Sequence, residues 1–190
     1  LKLDKRIGKF AYLKPSLGLV GGNVERDLYS LKKICHKYGV NNSVINSWQQ
    51  ISNIRKYWIS NILNKLFKKR KYKTISLLGL SYKENTNSIK NSNAIFTAQN
   101  FKNIKFFAFD TLVQSEQLEN FKNIEVKNMH FCLSKSQIII LTVPSKYFIN
   151  FFEKNSNLLE GKIIIDPHDI LKNIKNSNIK KKYVLGRMYE

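Results

Sequence analysis

The chain of 190 residues predicts an α/β fold, a helical segment followed by a parallel sheet. Three observations carry this. After residue 74, apolar runs of strand length alternate with helical stretches. Such runs are strands buried on both faces, hence a parallel sheet with helices on each side. Before residue 70, apolar residues recur at three- and four-residue steps, the period of amphipathic helices. Between the two regimes lies "KKRKYK", 68–73, a charged break. It divides the chain into a helical segment, 1–70, and a sheet domain, 71–190.

The elements follow in order. "DLYSLKKICHKY", 27–38, reads as a helix with Asp27 as N-cap, Leu28, Leu31, Ile34 and Cys35 on one face, and Gly39 as its stop. Residues 43–69 read as one helix of about seven turns with Val44, Trp48, Ile51, Ile54, Trp58, Ile62 and Leu66 on its apolar face. That face requires a partner surface, either the chain's own domains or a second subunit. "TISLLGL" (74–80), "IKFFAFD" (104–110), "IEVKN", "SQIIILTV" (136–143) and "GKIIIDP" (161–167) read as strands. "NSNAIFTAQNF" and "SKYFINFFEK" read as helices. "KNIKNSNIKKK" reads as a Lys/Asn-biased stretch.

Composition bounds the function. The hydrophobic fraction of 43% supports a packed core rather than a disordered chain. Cys35 and Cys132 form no CxxC, which argues against a disulfide framework or a zinc site and for a reducing cytoplasm. The N-terminal "LKLDKRIGKF" lacks the apolar core of a signal peptide. No apolar run approaches the roughly 18 to 20 residues of a membrane span, so no membrane is expected as a partner. The net charge of +20 raises a nucleic-acid reading. It comes almost wholly from scattered Lys; Arg is confined to Arg6, Arg26, Arg55, Arg70 and Arg187. Groove readers favour Arg for bidentate contacts, so nucleic acid is not the expected partner.

Chemistry is expected at the carboxyl ends of the strands. The richest strand end is "GLSYKENTNSIK", 79–90. There Gly79 lets the chain turn, Tyr82 offers a stacking face, and Lys83 a cation for phosphate or carboxylate. An ordinary polar loop with an exposed Lys is the competing reading. GxGxxG is absent after this strand, which weakens Asp110 as a ribose-binding acid. His168, in "IIIDPHDIL", is read as a surface or capping residue or as a site residue. "GLVGGNVERD", 18–27, has the glycines of an active-site turn and no Cys, Ser or His.

Two ordered segments resemble the UDP-glucose/GDP-mannose dehydrogenases. "YKENTNSIKNSNA" resembles the segment [FY]K-x-x-T-x-D-x-R-x-S-x-A that opens the family's third domain. "RIGKFAYLKPSLGLVGGNVERDLYSL" resembles the end of its substrate loop and its catalytic turn, P-G-x-G-x-G-G-x-C-x-x-K-D. The resemblance implies a Rossmann-like sheet domain that binds a UDP- or GDP-sugar, preceded by a helical segment that forms a homodimer through residues 43–69. It implies an NAD-dependent oxidation of a primary alcohol to a carboxylate, with NAD held mainly by an N-terminal domain that these 190 residues do not contain.

Carried across by position, the resemblance assigns substrate contacts to Arg6, Tyr12, Leu13, Lys14, Gly18, Tyr82, Lys83 and His168. It assigns cofactor contacts to Arg26 and Lys90, and a catalytic role to Asp27. The family's Cys nucleophile has no match, and the turn reads as one residue short. The expected function is therefore the C-terminal portion of a nucleotide-sugar 6-dehydrogenase homologue without its thiol. A non-catalytic sugar-nucleotide binder or scaffold is the alternative.

Overall fold

The structure is a computed structural model that describes residues 3–8, 11, 16–20, 22–70, 72–174 and 178–187. Three helices come first: α1 (Asn23–Lys37), α2 (Ser43–Lys56) and α3 (Trp58–Lys69). Then follow β1 (Thr74–Leu78), α4 (Asn93–Asn100), β2 (Lys105–Phe109), β3 (Ile124–Val126), α5 (Met129–Lys135), β4 (Ile138–Leu141), α6 (Lys146–Lys154), β5 (Ile163–Ile165) and β6 (Lys181–Tyr183). The strands form one sheet in the order β3-β2-β1-β4-β5-β6, with every pairing parallel.

The apolar runs are continuous because both faces of the sheet are covered, and the period of two sorts their side chains into two cores. Ile75, Leu77, Phe106, Ala108, Ile138, Ile140, Ile163 and Ile165 pack with α3 and α4. Leu78, Phe107, Ile139, Leu141 and Ile164 pack with α5 and α6. The covering helices start on side-chain caps: Ser92 accepts from the Ala94 N–H, Asn128 from Phe131, and Ser145 from Tyr147.

Several sequence expectations change. The helix over 27–38 begins earlier, at Asn23, with Gly22 in the cap position. Its first turn is anchored by Glu25, which accepts a hydrogen bond from Asn91, so Asp27 is an interior residue and not the N-cap. The helix over 43–69 is interrupted at Tyr57, whose φ and ψ are −83° and −1°. Backbone bonding continues across the break, from Tyr57 to Asn53 and from Asn61 to Tyr57. The Tyr57 ring meets Phe96 of α4 edge-on at 4.9 Å, at the point where the chain comes down onto the sheet domain.

The break divides the apolar stripe. Ile62 and Leu66 of α3, with Trp58 beside them, enter the same core as β1 and β4, as does Leu17. Val44, Trp48, Ile51 and Ile54 of α2 remain about half exposed or more. Thus α3 covers the sheet, and the core runs on across the charged break. Two elements escaped the sequence reading. α5 has seven residues, too few to display a period. β6 lies in the Lys-rich stretch and pairs Lys181 with Ile163.

One backbone position fixes the end of β1. Gly79 has φ +91°, and a Cβ there would lie 2.8 Å from the Val143 side chain. Gly79→Ala therefore combines a left-handed backbone with overpacking and is expected to destabilise the fold by about 2–4 kcal/mol. A urea midpoint unchanged from the parent protein would refute this.

Candidate functional site

β1 connects toward β2 on one side, and the chain later crosses to β4 on the other. The carboxyl ends of β1 and β4 therefore flank the topological switch point, where open α/β sheets bind ligands. A shallow cleft of about 30 Å³ opens there, lined by Gly79, Ser81, Glu84, Thr86, Asp110 and Val143, among others.

Its floor is a carboxylate clamp. Asp110 Oδ2 accepts from the Leu80 and Ser81 N–H groups at 2.6 and 3.2 Å, and Oδ1 from Leu112 and Val113 at 2.8 and 3.2 Å. Both oxygens are thus occupied by backbone donors, which gives Asp110 a structural role in place of ribose binding. Glu84 accepts from the Lys146 N–H at 2.9 Å and so holds the amino end of α6. Asn87 O accepts from Gln117 at 3.0 Å, and Tyr82 N–H donates to Ser88 O at 3.0 Å. The loop 79–92 is pinned along its length. Its middle presents Lys83, exposed, with the ammonium 5.4 Å from the centre of the half-buried Tyr82 ring.

The far end of the loop meets α1. Asn91 donates to Glu25, and Lys90 lies over Gly22, where a Cβ would come within 3.3 Å of Lys90 Cε. The two segments singled out in the sequence are therefore in contact: Lys90 sits beside the first turn of the helix that carries Arg26 and Asp27. Those two pair with each other at 3.2 Å, both well exposed. The Lys90 cation at a helix amino terminus, where N–H groups already favour an anion, suits a phosphate group. Neither Glu25 nor Asn91 was picked out by the sequence reading; each is an ordinary polar residue until the fold brings them together.

The other expected residues are placed as follows. Gly18 has φ +93°, and a Cβ would lie 2.7 Å from the Ser52 carbonyl, so close packing on α2 accounts for this glycine. Leu19 N–H donates to Ser52 Oγ at 2.8 Å beside it. Arg6 forms an exposed pair with Asp4 at 2.7 Å. His168 Nε2 is 3.3 Å from the Thr142 carbonyl, which brings it to the end of β4. Its turn is built by the fully buried Asp166, which accepts from Ile170 and Leu171 N–H at 3.0 and 2.9 Å. Tyr12, Leu13 and Lys14 lie outside the described residues.

Among the described residues there is no metal-ligand cluster, and no helix is long and apolar enough to cross a membrane. Cys35 is half-buried. Cys132 is fully buried beneath β1, and burial pushes its thiol up to about 12.

Residues 76–173 match the model of the UDP-glucose/GDP-mannose dehydrogenase family, UDP binding domain. That span is more than half of the chain. The chain belongs to the UDP-glucose/GDP-mannose dehydrogenase family.

Among its relatives, UDP-glucose 6-dehydrogenase of Rickettsia bellii is 29% identical over 177 residues, which cover 90% of this chain and 41% of the relative. UDP-glucose 6-dehydrogenase of Rattus norvegicus is 30% identical over 101 residues, 51% of this chain and 20% of the relative. In fold, the chain is similar to a UDP-glucose dehydrogenase from Pyrobaculum islandicum, with a TM-score of 0.78 at 15% identity over 97% of this chain and 41% of that one. A GDP-mannose dehydrogenase from Pseudomonas aeruginosa gives 0.72 at 15% identity over 92% of this chain and 41% of that one. The chain thus spans about 41% of the length of the Rickettsia relative and corresponds to the C-terminal part of a family member.

Proposed function

We propose that this chain is the nucleotide-sugar-binding part of a nucleotide-sugar 6-dehydrogenase homologue and takes a UDP- or GDP-sugar between loop 79–92 and the amino end of α1. The observation that carries this reading is the contact of Lys90 and Asn91 with Gly22 and Glu25. It joins a loop with an exposed Lys and an aromatic ring to an uncapped helix terminus. In this reading Lys83 holds a phosphate or sugar hydroxyl, Tyr82 shapes the pocket, and His168 approaches from the end of β4. Tyr12, Leu13, Lys14 and Gly18 belong to the loop that wraps the substrate, and Arg6 reaches the substrate of the other subunit. Two free thiols suit a reducing cytoplasm.

NAD, when bound, supplies the hydride acceptor. The sheet carries no GxGxxG after β1, so the larger part of that site is assigned outside these residues. Lys90 and Arg26 fit a role at its diphosphate, as cations on the first two turns of α1 or beside them.

The chemistry of acid formation is a separate matter. Read without a gap from Pro15 to Asp27, the motif P-G-x-G-x-G-G-x-C-x-x-K-D sets Asn23 at the Cys position, so the shortened turn of the sequence reading is unnecessary. An exposed carboxamide cannot add to an aldehyde as a thiolate does, and no thiohemiacetal or thioester can follow. Cys35 lies twelve residues further along α1, about 18 Å by helical rise. Cys132 is buried and protonated. The reading favoured is binding without oxidation to the acid, with Asp27 left to orient water or base.

Calorimetry with UDP- and GDP-sugars tests the binding. Lys83→Ala is expected to weaken it by about 1.5–3 kcal/mol, the scale of a charge-assisted hydrogen bond, with the melting temperature unchanged. Equal affinity would remove Lys83 from the site, and a parent protein that binds none of the panel would remove the reading itself.

The uncovered face of α2 leads to a second expectation, a homodimer through Trp48, Ile51 and Ile54. Trp58 is packed in the core region and is the wrong residue to test. Trp48→Glu with Ile51→Glu should halve the mass in light scattering. A monomeric parent, or a double variant that stays dimeric, would end this proposal.

For the oxidation, the protein including its NAD domain should release no sugar acid when supplied with NAD and nucleotide sugars. Asn23→Cys should restore thioester capture detectable by mass spectrometry. Two NADH per sugar from the parent protein would overturn the claim.

A further inference from the structure

The edge of the sheet opposite the cleft carries a row of lysines. All six strands are parallel, so their amino ends share that edge. Across it stand Lys122 before β3, Lys105 at the start of β2, Lys73 before β1, Lys135 at the end of α5, Lys162 before β5 and Lys180 before β6. Direct contacts tie neighbours together. Lys105 N–H donates to Lys73 O at 3.2 Å, and the Thr74 hydroxyl to Lys135 O at 2.6 Å. The Lys162 ammonium donates to Ser136 O at 2.9 Å, and Lys180 N–H to Lys162 O at 3.0 Å. At the usual strand spacing the row spans about 24 Å. Lys68, Lys69 and Arg70 extend it on the α3 side, and Lys154 on the α6 side.

Helix ends explain part of this, since Lys68, Lys69, Lys135 and Lys154 lie in last turns that favour cations. Lys105 pairs with Glu125. Lys73, Lys122 and Lys180 have neither reason. They are exposed, they stand at strand starts, and they have no carboxylate partner among the described residues. Glu160, near Asn178, Glu125, paired with Lys105, and Glu153, beside Lys154 in the last turn of α6, are carboxylates at this edge. Glu84, Asp110, Asp166 and Asp169 all lie at the opposite edge. Lys83, Lys146 and Lys182 also stand at that opposite edge, so what marks the lysine row is its excess of cations over carboxylates. The exposed large apolar side chains lie on the helical segment or, as Leu112 and Tyr147, at the carboxyl edge. The lysine edge offers charge alone.

We propose that this edge docks the protein on an anionic lipid surface. The patch extends in two directions, along the row and outward to the helix ends on both faces, as a planar array of headgroups requires. It is Lys-rich, with a single Arg and no exposed aromatic anchor, whereas single-stranded nucleic acid is held by stacking platforms and interleaved cations. Lysines near an anionic leaflet attract it additively within a Debye length. This docking needs no span and revises the sequence expectation of no membrane partner. It is independent of the nucleotide-sugar site.

The test is co-sedimentation of the 190-residue chain with vesicles of phosphatidylcholine alone and of phosphatidylcholine with roughly 30% phosphatidylserine. Binding is expected only to the second and should fall with salt. Replacing Lys73, Lys122, Lys135 and Lys180 by Gln should raise the lipid concentration for half-binding roughly tenfold or more. Replacing Lys32, Lys33, Lys37 and Lys172 by Gln removes equal charge and should change it by less than about twofold. In the parent protein, vesicles should shield Lys73, Lys122 and Lys180, and not Lys32 or Lys33, from an amine-reactive label read by mass spectrometry, a measurement that needs no variant to fold. Equal loss in both variants, equal labelling of both sets, or no binding to the anionic vesicles would overturn the proposal. So would tighter binding of a single-stranded oligonucleotide that the first variant abolishes.

Discussion

Four backbone N–H groups at the carboxyl edge of the sheet converge on Asp110. Two belong to the exit of β1 and two to the exit of β2. A parallel sheet leaves such donors unpaired where the strands end, and a donor left unmet out of reach of water costs about 1–3 kcal/mol. One carboxylate meets all four and joins two neighbouring strand exits. The loop 79–92 therefore departs in a fixed direction, with Gly79 turning it against Val143. The position of Tyr82, Lys83 and Lys90 depends on that departure.

From there the loop is held at both flanks. Glu84 ties it to the first turn of α6, and Asn91 ties it to the first turn of α1. The second attachment matters for assembly, because α1 has one buried side chain, Leu28. By contrast α3 is bound through Ile59, Ile62, Leu63 and Leu66, all in the sheet's core. Each fully buried side chain of this kind contributes about 1.5–3 kcal/mol. The helical segment is thus firmly seated at α3 and lightly seated at α1. Polar contacts with loop 79–92 set where the amino end of α1 lies.

The strands were readable because burial on both faces erases alternation and leaves runs such as "SQIIILTV". β6 was not, because it is half-buried and its Lys side chains can extend toward water while the backbone pairs. The long helical stripe was readable as a period and misleading as a single helix. Sequence periodicity does not reveal that the partner surface changes at Tyr57, from the segment around Gly18 on α2, where Trp48 and Ile51 stay exposed, to the sheet on α3. At the site, Gly79, Tyr82 and Lys83 were legible from a strand end followed by polar residues. Glu25 and Asn91 were not, since 66 residues separate them and no local pattern links them. Gly18 was legible as important, but its neighbour proves to be Ser52, a helix contact invisible in a linear reading.

The burial pattern separates what maintains the fold from what performs chemistry. Gly79 and Asp166 are buried and Asp110 is half-buried, and all three are engaged, so a change at any of them disturbs backbone or leaves its donors unmet. Asn23 and Asp27 stand exposed on the first turns of α1, where most side chains are tolerated within about 0.5 kcal/mol. In the register proposed here, the position of the family's nucleophile is one at which the fold exerts almost no constraint. Loss of the thiol would leave the cleft, the clamp and the α1–loop contact as they are. Retention of the fold therefore carries no information about retention of oxidation.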